Sequence, residues 1–265
     1  MQFARVNGVT HHYQIIGAPE GKPTLVFANS LGTDFRIWRD VIVRLAGEVA
    51  IVTYDKRGHG LSDLGETPYT MDGLVDDLAS LLDHLGADPA VIVGLSVGGA
   101  IAQGLAISRP DLVRGLVLAG TSARFMTREA WQERIDTVEA DGLAAYAPAV
   151  TDRWFADAYK GAAGDALDGW TNMVARQPQA GYLATCAALR DFDGRGRLGE
   201  ITVPAIAVAG ENDLACPPDQ MADMARALPD CRYEMLKACG HIIPVEQPEL
   251  FTEIVRAFMA DADIK

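Results

Sequence analysis

The sequence predicts an α/β fold: a mostly parallel, doubly wound sheet with an N-terminal hairpin and a helical insertion past its middle. Three observations predict it. Short apolar runs that end in turn residues alternate with helical patterns along most of the chain, the rhythm of strand–helix–strand units. The runs are nearly continuous in their hydrophobicity, as in strands covered on both faces. The rhythm stops between about residues 121 and 193, where only helical patterns occur, and then resumes.

The elements follow in order. Phe3 to Val6 and Thr10 to Ile16 flank Asn7-Gly8, a pair that favours a tight type I′ hairpin turn. Strands are expected at Thr24–Asn29, Ala50–Asp55, Ala90–Leu95, Gly115–Ala119, Ala205–Ala209 and Arg232–Leu236. In Met71–Leu85 the leucines at 74, 78, 81, 82 and 85 recur at three- and four-residue steps, which draws one apolar stripe along a helix. Ala100–Ser108 is a helix of small residues that stops before Pro110, and Gln220–Leu228 and Glu249–Met259 complete the set. The irregular stretch holds Trp131, Trp154 and Trp170, three of the four tryptophans. Residues 1–121 and 194–265 are thus expected to form the core. Residues 122–193 form a helical cap over the carboxyl ends of the strands, where open α/β sheets bind ligands. The alternative is one more helical layer of the core.

Composition bounds the function. The 265 residues are 49% hydrophobic and 22% charged, enough to bury a sizeable core and unlike a disordered chain. No apolar run approaches the roughly 20 residues that span a bilayer. A formal charge of −13 argues against nucleic acid, because no basic surplus is present to neutralise phosphates. Met1-Gln2-Phe3-Ala4-Arg5 is not a basic start followed by an apolar stretch, so no secretory signal is expected. Cys186, Cys216, Cys231 and Cys239 lack C-x-x-C spacing. Reduced thiols and a cytoplasmic protein are the expectation.

Gly94-Leu95-Ser96-Val97-Gly98 is a G-x-S-x-G between a strand and a helix. That is the context of a nucleophile elbow, where a sharp turn exposes a serine hydroxyl. The plainer reading is a glycine-rich turn whose serine caps the next helix. A serine nucleophile needs a base, and five histidines compete. His11 and His12 sit in the hairpin, His84 is expected to be exposed at the end of an amphipathic helix, and His59 suits a loop fixed by internal polar bonds. His241 follows the last strand, as the chain order nucleophile–acid–base requires. The acid that orients it should lie between the two. Asp213, in Gly210-Glu211-Asn212-Asp213, sits beyond the turn after a strand; Glu211 is its rival, and either can simply shape the turn. Gly120-Thr121-Ser122, the other usual position, offers no acid. Two backbone N–H groups should hold the oxyanion. Val97 opens the helix after the elbow, and Leu31 lies in the loop Asn29-Ser30-Leu31-Gly32.

Those residues also resemble a family. Asn29 to Asp34, Tyr54-Asp55-Lys56-Arg57-Gly58-His59-Gly60-Leu61-Ser62 and the elbow are similar to the 3-oxoadipate enol-lactone hydrolases of the β-ketoadipate pathway. So are Arg153-Trp154-Phe155, Gly181-Tyr182 through Asp191, and Gly240-His241 with Val245-Glu246-Gln247-Pro248. The likeness runs over nearly the whole chain. It implies an α/β-hydrolase fold with a helical cap, no metal and no cofactor, and it puts Ser96, Asp213 and His241 on the triad positions. Asn29-Ser30 stand where the wider superfamily usually has His-Gly. The implied partner is a small anionic lactone from aromatic-compound catabolism, whose carboxylate needs a cation or several donors. Arg134, one helical turn after Trp131, offers a guanidinium on the same face, or else pairs with Glu133 or Asp136 at the surface. Trp131 and Trp154 either line an apolar pocket or simply pack. A general esterase or perhydrolase would use the same triad, and a non-catalytic binding protein would have lost a member of it. Dehalogenase and epoxide-hydrolase chemistry needs an aspartate where Ser96 stands.

Overall fold

The computed structural model describes residues 1–264. Eight strands form one sheet: β1 (Gln2–Val6), β2 (Val9–Ile16), β3 (Thr24–Ala28), β4 (Ala50–Tyr54), β5 (Ala90–Leu95), β6 (Val113–Ala119), β7 (Ala205–Gly210) and β8 (Cys231–Leu236). Their order is β1-β2-β4-β3-β5-β6-β7-β8. The first hairpin joins antiparallel through β2 and β4, and every later pairing is parallel. Asn7 and Gly8 take φ of 47° and 75°, the left-handed pair that a type I′ turn requires. This is the mostly parallel α/β sheet with an N-terminal hairpin that the sequence predicts.

β5 and β7 are buried at every residue, because helices cover both faces of the sheet. The two-sided burial expected of every run fails at β8. There Arg232, Tyr233, Glu234 and Met235 are exposed, since β8 is the sheet edge and its charged residues face water. Flanking the sheet are α1 (Arg39–Leu45), α2 (Met71–Leu85), α3 (Val97–Ser108), and, after the insertion, three further helices described below. Thr70 caps α2 by accepting the Gly73 N–H at 3.0 Å, and left-handed Gly86 ends it. The leucine stripe of α2 is buried except at Leu85, which is half-buried at the last turn.

Between β6 and β7 lie α4 (Arg128–Asp141), α5 (Leu143–Trp154), α6 (Asp157–Ala163), α7 (Asp165–Ala175) and α8 (Gln179–Asp191), with no strand among them. α4 packs on α5 and α8, and α5 packs on α7. The chain then returns through β7 and β8 and ends in α9 (Pro218–Ala227), α10 (Ile243–Glu246) and α11 (Pro248–Asp261). Among the described residues no helix is long and apolar enough to cross a membrane.

Candidate active site

β5 ends at Leu95 and α3 begins at Val97, leaving Ser96 as the whole turn between them. Its φ of 58° and ψ of −122° are strained for a side-chain-bearing residue, at a cost of about 1–3 kcal/mol. Neighbouring bonds hold it there. The Ser96 N–H donates to the Ala119 carbonyl at 3.0 Å, and Thr121 Oγ1 donates to the Ser96 carbonyl at 2.6 Å. The elbow glycines are steric necessities. A Cβ on Gly94 would lie 2.4 Å from the Gly98 carbonyl oxygen, and one on Gly98 would lie 2.1 Å from that of Ala28.

His241 is fully buried and arrives from the loop after β8. Its Nδ1 lies 2.8 Å from Asp213 Oδ2. The other carboxylate oxygen accepts the N–H groups of Ala215 and Cys216 at 2.7 and 2.8 Å. With Oδ1 taken by two N–H donors and Oδ2 facing Nδ1, the arrangement fits an imidazole that carries its proton on Nδ1 and keeps Nε2 open as an acceptor. Glu211 turns away instead, to Lys237 Nζ at 2.6 Å and the Ala238 N–H. The Cys216 thiol lies beside the pair. Burial pushes it well above the ordinary thiol range, so it stays an S–H.

Ser96 and His241 line one narrow cavity of about 40 Å³, shared with Ser30, Leu31, Cys216 and residues of α4, α5 and α8. A larger cavity of about 810 Å³ opens elsewhere, between Phe35 and Trp170, and touches neither; chemistry, and not size, locates the site. Val97 is the first residue of α3, so its N–H has no partner within the helix and points with the positive end of the dipole. Leu31 faces the same cavity from the loop after β3.

All three residues of α4 and α5 singled out in the sequence line this cavity: Trp131, Arg134 and Trp154. Arg134 does not pair with Glu133 or Asp136. Its guanidinium lies 4.7 Å from the Trp131 ring centre and 5.9 Å from that of Tyr146, stacked as arginine commonly is on aromatic faces. Its Nε is sealed from solvent without a hydrogen-bond partner. Among the described residues no carboxylate forms an ion pair with it. Burial works against its charge, while the Tyr182 and Tyr146 phenols and the Cys186 thiol favour it.

The remaining histidines have other tasks. His59 Nε2 accepts the Gly32 N–H at 3.1 Å and so braces the loop that carries Leu31; burial and the nearby Lys56 charge hold its pKa well below the usual value. His12 bonds Asp55, His11 lies against Asp77, and His84 is exposed. Sequence reasoning missed Glu246. Its carboxylate accepts the Gly240 N–H at 2.9 Å and the Ala156 N–H at 3.0 Å, and the His241 N–H donates to the Trp154 carbonyl at 2.6 Å. The histidine loop is thereby tied to the end of α5.

Comparison with known proteins agrees with this architecture. A family model described as alpha/beta hydrolase family matches residues 25–254. Two 3-oxoadipate enol-lactonases of Acinetobacter baylyi are each 33% identical over 95% of this chain, covering 94% and 93% of their own lengths. The crystal structure of an enol-lactonase from Burkholderia xenovorans superposes with a TM-score of 0.94 at 34% identity, over 98% of this chain and all of that one. The protein is a hydrolase that belongs to the α/β-hydrolase superfamily and, within it, to the family of the 3-oxoadipate enol-lactonases.

Proposed function

We propose that this protein opens 3-oxoadipate enol-lactone to 3-oxoadipate, in the cytoplasmic breakdown of aromatic compounds. The observation that carries the choice of substrate is Arg134, a cation without an acidic partner in the cavity that Ser96 and His241 share. A lactone bearing a carboxylate supplies the missing partner and brings its ring carbonyl to the serine. The names of the relatives point to the same substrate.

Ser96 Oγ attacks the lactone carbonyl while His241 Nε2 takes its proton, and Asp213 stabilises the imidazolium that forms. The N–H groups of Leu31 and Val97 hold the oxyanion. Collapse of the tetrahedral intermediate breaks the ring C–O bond and expels the enol oxygen, a better leaving group than an ordinary alkoxide, which His241 reprotonates. The enol stays tethered through its acyl end and tautomerises to the ketone. Water, deprotonated by His241, then attacks the acyl carbon, and the imidazolium returns that proton to Ser96 Oγ as the acyl bond breaks and 3-oxoadipate leaves. Trp131 and Trp154 bound the apolar side of the pocket.

The experiment follows the loss of ultraviolet absorbance of the enol-lactone with wild type and Ser96→Ala. An inactive wild type would remove the lactone assignment; equal rates in the two would remove Ser96. The apolar walls also favour a broader esterase, which is the outcome if neutral esters turn over as well as the lactone.

A further inference from the structure

The loop that presents the Leu31 N–H is gripped from behind. The Ser30 carbonyl oxygen accepts from Lys56 Nζ at 2.6 Å and from Thr33 Oγ1 at 3.0 Å. The next N–H, that of Gly32, donates to His59 Nε2. Lys56 and His59 both belong to the loop after β4, and both are shut away from water, at 2% and 0% exposure. A lysine is seldom buried so deeply, because taking an ammonium out of water is costly unless something answers its charge. Here the neighbouring carboxylates answer it only through space. Asp55 is bonded to His12 Nδ1 and to the N–H groups of Phe35 and Leu61, and Asp34 is bonded to Arg36. Among the described residues, the hydrogen bond that Lys56 Nζ makes goes to the Ser30 carbonyl alone.

That carbonyl shares a peptide plane with the Leu31 N–H. The Ser30–Leu31 bond is trans, since among the described residues the cis bond is Thr67–Pro68. In a trans peptide the C=O and N–H point in opposite directions. With the oxygen drawn toward Lys56 and Thr33, the N–H is held on the opposite side of the peptide, and Leu31 itself lines the cavity that Ser96 and His241 share. A cationic donor on the oxygen also withdraws electron density through the amide, which strengthens the N–H as a donor.

We propose that Lys56 is a positioning residue of the oxyanion site, orienting and polarising the Ser30–Leu31 peptide so that its N–H meets the charge that develops on the substrate. This rests on the reading of Ser96 as nucleophile and Leu31 as oxyanion donor given above. Burial brings Lys56 down to about 7, with Asp55 and Asp34 working to keep it charged. The same charge helps to hold His59 neutral, the form whose Nε2 can accept the Gly32 N–H. One loop thus fixes both peptides of the oxyanion turn.

The test uses p-nitrophenyl acetate turnover together with inhibition by phenylboronic acid. The boron accepts an electron pair from the serine oxygen and becomes a tetrahedral anion, which mimics the oxyanion intermediate. Lys56→Met removes the donor and keeps most of the volume. Its kcat is expected to fall about 10-fold or more, the weakening of one oxyanion donor, with KM within about 2-fold, because the ground-state carbonyl gains little from this N–H. Phenylboronic acid affinity should fall by a similar factor. Thr33→Val removes the second donor to the same oxygen and should lower both quantities about 3-fold, the size of one neutral hydrogen bond. A Lys56→Met enzyme with kcat within 2-fold of wild type overturns the proposal, as does a fall in kcat that leaves boronate affinity unchanged. If Lys56→Met does not fold, Thr33→Val decides: undiminished boronate affinity in that variant overturns it equally. Ser96→Ala separates the two readings. Turnover surviving in that variant sinks the nucleophile assignment and this proposal with it; an inactive Ser96→Ala beside an unaffected Lys56→Met sinks this proposal alone.

Discussion

Replacing Arg134 by Met asks whether the stacked guanidinium reads the substrate's carboxylate or merely braces α4 against its neighbours. Met keeps an unbranched apolar stem against Trp131 and Tyr146 and removes the charge. A charge-assisted hydrogen bond contributes about 1.5–3 kcal/mol, which at about 1.4 kcal/mol per decade is roughly 10- to 150-fold in kcat/KM. Arg134 is half-buried and not sealed throughout, so screening by water trims the expectation to ~10- to 50-fold. Stability should hardly move. The Nε without a partner carries a desolvation cost of about 1–3 kcal/mol, while stacking on Trp131 at 4.7 Å and Tyr146 at 5.9 Å returns about 0.5–2 kcal/mol. The two nearly cancel. Arg134→Met is therefore expected to leave Tm within about 4 °C of wild type, the shift for about 1 kcal/mol in a chain of this size. The assays are enol-lactone turnover, p-nitrophenyl acetate turnover and a thermal melt. Neutral ester rates should stay within about 2-fold of wild type, since no carboxylate is at stake. Equal losses on both substrates together with a Tm lower by more than about 4 °C would refute the reasoning and make Arg134 a strut of α4.

Two further outcomes follow from the geometry. In Asp213→Asn the N–H groups of Ala215 and Cys216, at 2.7 and 2.8 Å from Oδ1, will claim the amide oxygen and leave the NH₂ facing His241. That forces the imidazole proton onto Nε2, the wrong tautomer, so kcat should fall about 10³- to 10⁴-fold with little change in fold by circular dichroism; a loss under 10-fold would count against the triad. Glu246, which burial pushes up to about 7 from 4.5, keeps a proton in the folded protein that the unfolded chain loses between those values. Its contribution to stability is thus full below about 4.5 and is lost as pH rises through about 7. The Tm of Glu246→Gln relative to wild type should climb between pH 5 and pH 8, whatever constant offset the amide introduces, and a pH-independent difference would show that Glu246 does not titrate there.

What the sequence made legible follows from how local each constraint is. The elbow needs a strand, one strained residue and glycines two positions to either side, all within residues 91–103, so its pattern is written contiguously. His241 is reachable through chain order, and the choice of Asp213 over Glu211 through its place beyond the turn. Short elements are not reachable. α1 has seven residues and α10 four, too few turns for a helical period to stand out from an apolar run. β8 reads like the buried strands, although Arg232 and Glu234 already mark a face toward water; edge position depends on which strand comes last in space, and spacing does not encode it. Arg134 stands between surface pairing and pocket because both lie on one helix, and the rotation of α4 that buries Trp131, Ile135 and Val138 decides between them. Lys56 is the extreme case. A lysine inside a polar loop reads as solvated, and its burial arises because β3 and β4 run side by side in parallel, bringing the loops at their carboxyl ends together. The peptide it grips is 26 residues away in sequence. Residues that perform the chemistry leave local patterns, because each needs a particular backbone around it; residues that aim the backbone act across the gap between strands, and only the packed sheet brings them within reach.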